Sequence, residues 1–182
     1  MEKSKINYIF EILQKIWFDY NIENKIKLRG ISDNEYIKLI DVFGRSFPYA
    51  FSLYLQRYAG EPLNIHNNIS HNYTGIMESQ DIGRKLLKKY NKTIPSNSFI
   101  FGQNSNCTIY YFVDNHTNNP NIYIMTEELN NDNEYELNKY SMGLFTDWII
   151  NQTINSLVKC KGRNILDKTI ILEELKESTN GT

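Results

Sequence analysis

The side chains that could do chemistry in this sequence are three histidines, two cysteines and a few carboxylate pairs. His66 and His71 are five positions apart and lie in loop-like sequence. Two metal ligands on one helix face need a spacing of four. Asp114-Asn115-His116 places an acid and a base within one turn, half of what a metal or acid–base site would need. The same composition is what a turn itself demands. Cys107, on a Tyr-rich strand, reads as a small buried hydrophobe, since the sequence pairs no His, Asp or Asn with it as a nucleophile needs. Glu127-Glu128 and Glu173-Glu174 are adjacent carboxylates, ordinarily just solvated. Phosphate-loop, dinucleotide-binding, nucleophile-elbow and zinc-helix patterns are all missing. Cys107 and Cys160 are too few for a disulfide framework or a structural zinc cluster. The residues therefore point to a protein that is not an enzyme, with no catalytic residue, metal or cofactor.

Charge carries more information. The formal net charge of −1 over 182 residues hides an asymmetry. Residues 1–92 hold 14 Lys and Arg against 10 Asp and Glu, whereas residues 93–138 hold no basic side chain at all. The acids of that stretch are Asp114, Glu127, Glu128, Asp132, Glu134 and Glu136, with Tyr123 and Tyr135 among them. Charge of this kind speaks to partners and solubility, not to fold. The chain also has 41% hydrophobic and 13% aromatic residues, which excludes wholesale disorder and suits one domain.

The N-terminus has no uninterrupted apolar segment or cleavage site, because Glu11, Gln14, Lys15 and Asp19 break up its apolar positions. No run approaches the ~18 apolar residues of a membrane span. The expectation is a cytoplasmic protein without membrane contact. Several Asn-x-Ser/Thr triplets, among them those at Asn72, Asn91, Asn106, Asn115 and Asn151, are then chance products of an Asn-rich chain.

The elements that would position these residues follow from periodicity. Ile6, Ile9, Phe10, Leu13, Ile16, Trp17 and Tyr20 form one helical stripe over about 4–20, with Ser4 as a plausible N-cap. Its polar face mixes acid and base, so core packing is preferred to a membrane surface. Ser32 and Glu35 make a capping box for a second helix ending at Gly44. Pro48 opens a third, which stops at Ala59-Gly60 and Pro62. Leu63 to Thr74 reads as a short strand plus loop, and Met77 to Tyr90 as a helix. The Arg84, Lys85, Lys88 and Lys89 cluster closing that helix complements the helix dipole, and no nucleic-acid partner is inferred from it. Three strands follow: 98–101 ending at Gly102, 107–113 and 121–126. A polar segment (127–138) then leads to a last helix from about Ser141, with Leu144, Phe145, Trp148, Ile149, Ile154, Leu157 and Val158 on its apolar face. Residues 159–163 read as a turn, 168–175 as a strand or helix, and 178–182 as a polar tail.

A capped helix, Gly44-x-x-Phe47-Pro48-Tyr49, and a helix closing on Ala59-Gly60 resemble the opening motif of the SUKH superfamily. The helix at 77–90, Phe99-Ile100-Phe101-Gly102, Tyr110-Tyr111-Phe112, Ile122-Tyr123-Ile124 and Phe145-x-x-Trp148 follow in the family's order. The resemblance covers about 31–158. Phe47 stands where an aliphatic residue is commoner, and Asn-rich turns replace acidic, glycine-rich ones. The N-terminal helix and the extension at 159–182 lie outside the pattern. The resemblance implies a single α+β domain, helices packed on a mostly antiparallel β-sheet, and a non-enzymatic binding role. Bacterial members resemble immunity proteins that neutralise a cognate toxin, and fungal relatives act in cell-wall regulation.

Two functions from different classes follow. The first is an immunity protein that binds a basic, nuclease-type toxin through an acidic, aromatic face made of Asp114, Tyr123, Glu127, Glu128, Asp132, Glu134, Tyr135 and Glu136. The alternative is a scaffold or regulatory interaction protein of the same fold without a toxin partner. The oligomeric state is not legible in the sequence.

Overall fold

The apolar stripe that begins at Ile6 forms the first helix, α1 (Lys3–Asn21), in the computed structural model. The structure describes residues 1–21, 29–59 and 72–161, without the side chains of 17–21, 154 and 156–161. Trp17, Tyr20, Ile154, Leu157 and Val158 of the expected apolar faces, and the segments expected over 63–71 and 163–182, therefore lie outside the described residues. Ser4 is not the N-cap of α1. The Ile6 N–H already bonds the Glu2 carbonyl at 3.2 Å, so the helix starts before Ser4.

The capping box is present as expected. The Glu35 N–H donates to Ser32 Oγ at 3.3 Å, and the Ser32 N–H donates to the Glu35 carboxylate at 2.8 Å. Those bonds satisfy orphan donors at the start of α2 (Asp33–Phe43) and hold the Glu35 carboxyl below its ordinary pKa. Gly44 ends α2 at φ 74°, a left-handed conformation that glycine reaches without Cβ strain. Pro48 stands at the N-cap of α3 (Tyr49–Tyr58), and Ala59 ends it.

The fourth helix, α4 (Tyr73–Lys89), begins four residues earlier than its apolar pattern suggests. Asn72 explains the difference: its side-chain oxygen accepts the Gly75 N–H at 2.8 Å, a cap that outweighs the polar composition of the first turn.

The chain then builds a sheet of β1 (Ser98–Asn104), β2 (Thr108–Val113), β3 (Asn121–Leu129) and β4 (Tyr135–Leu144), antiparallel throughout and in the order β1-β2-β3-β4. β1 does not stop at Gly102; it passes through it with a register shift between Ile100 and Gly102. Ser105 and Asn106, both at positive φ (51° and 60°), make the tight turn into β2. β4 is a correction to the sequence reading, which treats 127–138 as a polar connection and 141–144 as helix. The last helix, α5 (Phe145–Lys161), starts only at Phe145 and runs into the expected turn at 159. Its start is fixed by the preceding loop. The Phe145 N–H bonds the Pro120 carbonyl at 2.9 Å, the Thr146 N–H bonds Asn119 Oδ1 at 3.2 Å, and Asn119 Nδ2 returns a bond to Thr146 Oγ1 at 2.8 Å.

Alternation along the strands sends side chains to two cores. Phe99, Phe101, Tyr110, Phe112 and Ile122 face α1, α3 and α5, where Phe51 lies in ring contact with Phe99, Phe101, Phe112 and Phe145 at 5.1–5.8 Å. Ile100, Ile109, Tyr111, Met125 and Leu137 form a smaller core on the other face with Leu86 of α4. α4 thus covers the β1 edge and reaches both cores, through Ile76 and Leu86. Its Gln80 side chain donates to the Ile100 carbonyl, and a Cβ on Gly83 would stand 2.5 Å from Ile100 Cδ1. α1 belongs to the main core, with Ile6, Ile9, Phe10 and Leu13 buried and the buried Tyr58 hydroxyl donating to the Phe10 carbonyl at 2.7 Å. No helix among the described residues is long and apolar enough to cross a membrane.

Candidate functional site

The acids and aromatics singled out from the sequence collect mainly on the β3–β4 hairpin. Its turn is built by asparagine. Asn130 Oδ1 accepts the N–H groups of Asp132 (3.0 Å) and Glu134 (2.9 Å), the Asn130 N–H bonds the Glu134 carbonyl at 2.8 Å, and Asn133 takes φ 59°. Local bonding of this kind lets an Asn-rich segment turn back on itself without glycine. The exposed tip carries Asp132 and Glu134.

The two faces of the hairpin differ. On the α4 side, Tyr123 stacks on Tyr111 with ring centres 5.5 Å apart, and Lys139 Nζ sits 4.4 Å above Tyr123. Burial pushes the Tyr111 phenol up to about 12. Glu127 lies on this face and is already partnered, by Lys89 and by the Tyr90 hydroxyl at the end of α4. The Lys89 bond is the larger cause of its carboxyl being held below the ordinary range, and Tyr90 adds to it. Beyond it, Leu129 and Tyr135 are cross-strand partners, 54% and 64% exposed.

On the opposite face, Glu128 and Glu136 are cross-strand partners. Glu128 accepts bonds from Tyr140 Oη (2.6 Å) and Asn138 Nδ2 (3.1 Å), and this contact raises the Tyr140 phenol pKa. Tyr140 and Met142 are themselves exposed. Among the described residues no ion pair forms to Glu128, Asp132, Glu134 or Glu136. The hairpin thus carries four carboxylates outside any ion pair of the described residues, Glu128 among them hydrogen-bonded to Tyr140 and Asn138. It also carries four exposed large apolar or aromatic side chains, Leu129 and Tyr135 on one face and Tyr140 and Met142 beside the acids.

Asp114 does not belong to this surface. It directly follows β2, at the opposite end of the sheet from the hairpin tip, and is only 6% exposed. Its carboxylate accepts the His116 N–H at 2.9 Å and lies 3.7 Å from Arg45, so it shapes a turn with His116 at φ 58°. A cleft of about 310 Å³ opens there, lined in part by Lys3, Ser46, Tyr49, Asp114 and His116. Both Asp114 oxygens are engaged, and among the described residues no group of three His, Cys, Asp or Glu is arranged to hold a metal. Cys107 is half-buried just before β2 rather than a buried strand residue. His66 and His71 lie outside the described residues.

Sequence reasoning missed Leu129, Tyr140 and Met142, which the hairpin exposes beside the acids. The local signal is partial: Asn130 to Asn133 is a turn cluster, but only Tyr135 and Leu137 alternate after it, among Glu, Asn and Lys, which is too short a pattern to mark a strand. Comparison of the chain with family models, with curated proteins and with solved structures gives no match.

Proposed function

We propose that this chain is a non-enzymatic immunity protein, acting in the cytoplasm, that binds and neutralises a cognate bacterial toxin through the β3–β4 hairpin. The toxin's contact surface is basic, as in a nuclease that attracts phosphate. The observation carrying this reading is that one hairpin exposes Leu129, Tyr135, Tyr140 and Met142 together with the carboxylates of Glu128, Asp132, Glu134 and Glu136, to which no cation among the described residues is paired. Exposed aromatics supply the area that holds a complex, and surrounding acids speed and select its formation. The sequence resemblance to the SUKH superfamily supports the same role. Relative to the face drawn from sequence, Asp114 drops out and Glu127 serves the fold.

The test is co-expression with the product of the neighbouring reading frame. Cells expressing that product should die unless this chain is present, and the two proteins should co-purify. Co-purification without any toxicity would transfer the surface to a scaffold or regulatory partner, and neither result would end the binding proposal.

A further inference from the structure

The proposed binding role leaves open how a partner engages the hairpin, and the backbone of β4 narrows the answer. In an antiparallel ladder, opposed residues alternate between pairs that exchange N–H and C=O bonds and pairs whose groups point outward. The Asn130 N–H bonds the Glu134 carbonyl, so 130/134 is an inward pair. The Glu127 N–H goes to the Cys107 carbonyl on the β2 side, so Glu127 does not bond across to its β4 partner Leu137. Both bonds give the same parity. Glu136, Asn138 and Tyr140 bond inward to β3, while Tyr135, Leu137, Lys139 and Ser141 direct their backbone groups to the outer edge. Among the described residues no strand pairs with that edge, because β4 is last in the sheet order.

Such an edge invites strand addition unless it is blunted. Lys139, the residue that would ordinarily guard it, is folded over Tyr123 and Tyr111. The edge ends at Met142–Gly143, where Gly143 adopts φ 79° and the register shifts.

We infer that the outer edge of β4, from Tyr135 to Ser141, takes up an extended basic segment of the protein partner as a fifth strand. The inference rests on the binding role proposed above and specifies its geometry. Alternate residues of the added strand lie beside Glu136 and Tyr140, with Glu128 behind them. Among the described residues that side has acids, a phenol and no cation, so Lys or Arg belongs at those positions. The intervening residues lie beside Tyr135 and Leu137 and are apolar or β-branched. A second copy of this chain is the poorer occupant, because it would bring further carboxylates and no cation to the same side.

The experiment uses the full chain and two soluble peptides of about eight residues, enough to span the edge at ~3.4 Å per residue. One alternates Lys with Thr; the control alternates Glu with Thr. The Lys peptide should slow amide exchange about tenfold at Leu137, Lys139 and Ser141, with the inward amides of Glu136, Asn138 and Tyr140 little changed. The Glu peptide should do nothing. Ser141→Pro and Lys139→Pro remove outward N–H groups without touching the β3 ladder and should weaken binding about tenfold, whereas Ser141→Ala and Lys139→Ala should not. Equal effects of both peptides, perturbation spread over the helices, or full binding by the proline variants would overturn the inference. A dimer that dissociates in Ser141→Pro would also overturn it, in favour of a second copy. The toxin-protection assay separates the two proposals. Proline variants that still protect sink the edge and leave the immunity role standing. Peptide capture at β4 by a wild-type chain that protects against nothing does the reverse.

Discussion

Glu128 and Glu136 stand directly opposite each other on β3 and β4, and the Tyr140 hydroxyl donates to Glu128 at 2.6 Å. Like charges in register on neighbouring strands destabilise the pair, and the Tyr140 and Asn138 bonds offset only the Glu128 half of that repulsion. A hairpin selected for stability alone would carry an opposite charge at position 136. Glu136→Lys should therefore stabilise the protein by about 0.5 kcal/mol, visible as a melting temperature raised by roughly 1–2 °C. The same variant should lose protection against the toxin. Unchanged stability together with unchanged protection would contradict both assignments.

Tyr135→Ala and Leu129→Ala remove side chains that are largely exposed and contribute little to the cores. Thermal unfolding should shift by no more than about 0.5 kcal/mol equivalent. If these residues anchor the partner, capture should weaken by about 1–2 kcal/mol for Tyr135, as binding hot spots do. Calorimetric titration with the purified toxin measures it.

Phe51 sits at the centre of the larger core, fully buried among the rings of Phe47, Tyr54, Phe99, Phe101, Phe112 and Phe145. Phe51→Ala should cost about 3–5 kcal/mol, a large share of the roughly 5–15 kcal/mol that holds such a domain together. Urea unfolding should show a lower midpoint with a similar slope.

Two glycines should respond differently to alanine. A Cβ on Gly30 would stand 1.8 Å from the Gln56 carbonyl oxygen, where the Ile31 N–H to Leu55 bond holds the two backbones together. Backbone cannot give way cheaply, so Gly30→Ala should cost several kcal/mol, on the scale of ~3. The Cβ of Gly83→Ala would meet only the end of the Ile100 side chain, and alanine favours the helix by about 1 kcal/mol. That variant should stay within about 1 kcal/mol of wild type in the same urea series.

The Lys89 and Tyr90 bonds to Glu127 set a pH dependence. The folded-state pKa of Glu127 is lowered, mainly by Lys89. Its contribution is therefore fully present above the unfolded carboxylate pKa and is lost as pH falls through the lower, folded value. Lys89→Gln should move the Glu127 carboxyl upward in a carbon-detected NMR titration and make the acid side of the stability profile less dependent on this group. A Glu127 titration identical in both proteins would refute the pairing.

The helices and the first strands were legible because their signals are local. Ser32 and Glu35 are three positions apart, Gly44 ends the helix they start, and β-branched and aromatic runs mark 98–101, 107–113 and 121–126. β4 was not legible, because its one deeply buried residue is Leu137 and its neighbours are Glu, Asn, Lys and Tyr. An edge strand exposed over most of its length needs little apolar alternation, and its ladder is specified by β3 and by the Asn130 turn. The start of α4 was missed for a similar reason, since a side-chain cap at Asn72 rather than hydrophobic period decides it.

By itself the sequence determined an α+β chain with a base-free, acid-bearing segment over 93–138. Tertiary structure alone decided which of those acids are tied to a cation and which stay on the open hairpin. Asp114 is turned inward to His116 and Arg45, Glu127 is taken by Lys89 and Tyr90, and Glu128 with Glu136 remains on an open hairpin beside Tyr140. Adjacent acids in sequence point to opposite faces of a strand, and their partners come from elements up to about 70 positions away, as between Arg45 and Asp114. Composition counts charges, but register and packing determine which of them a partner can meet.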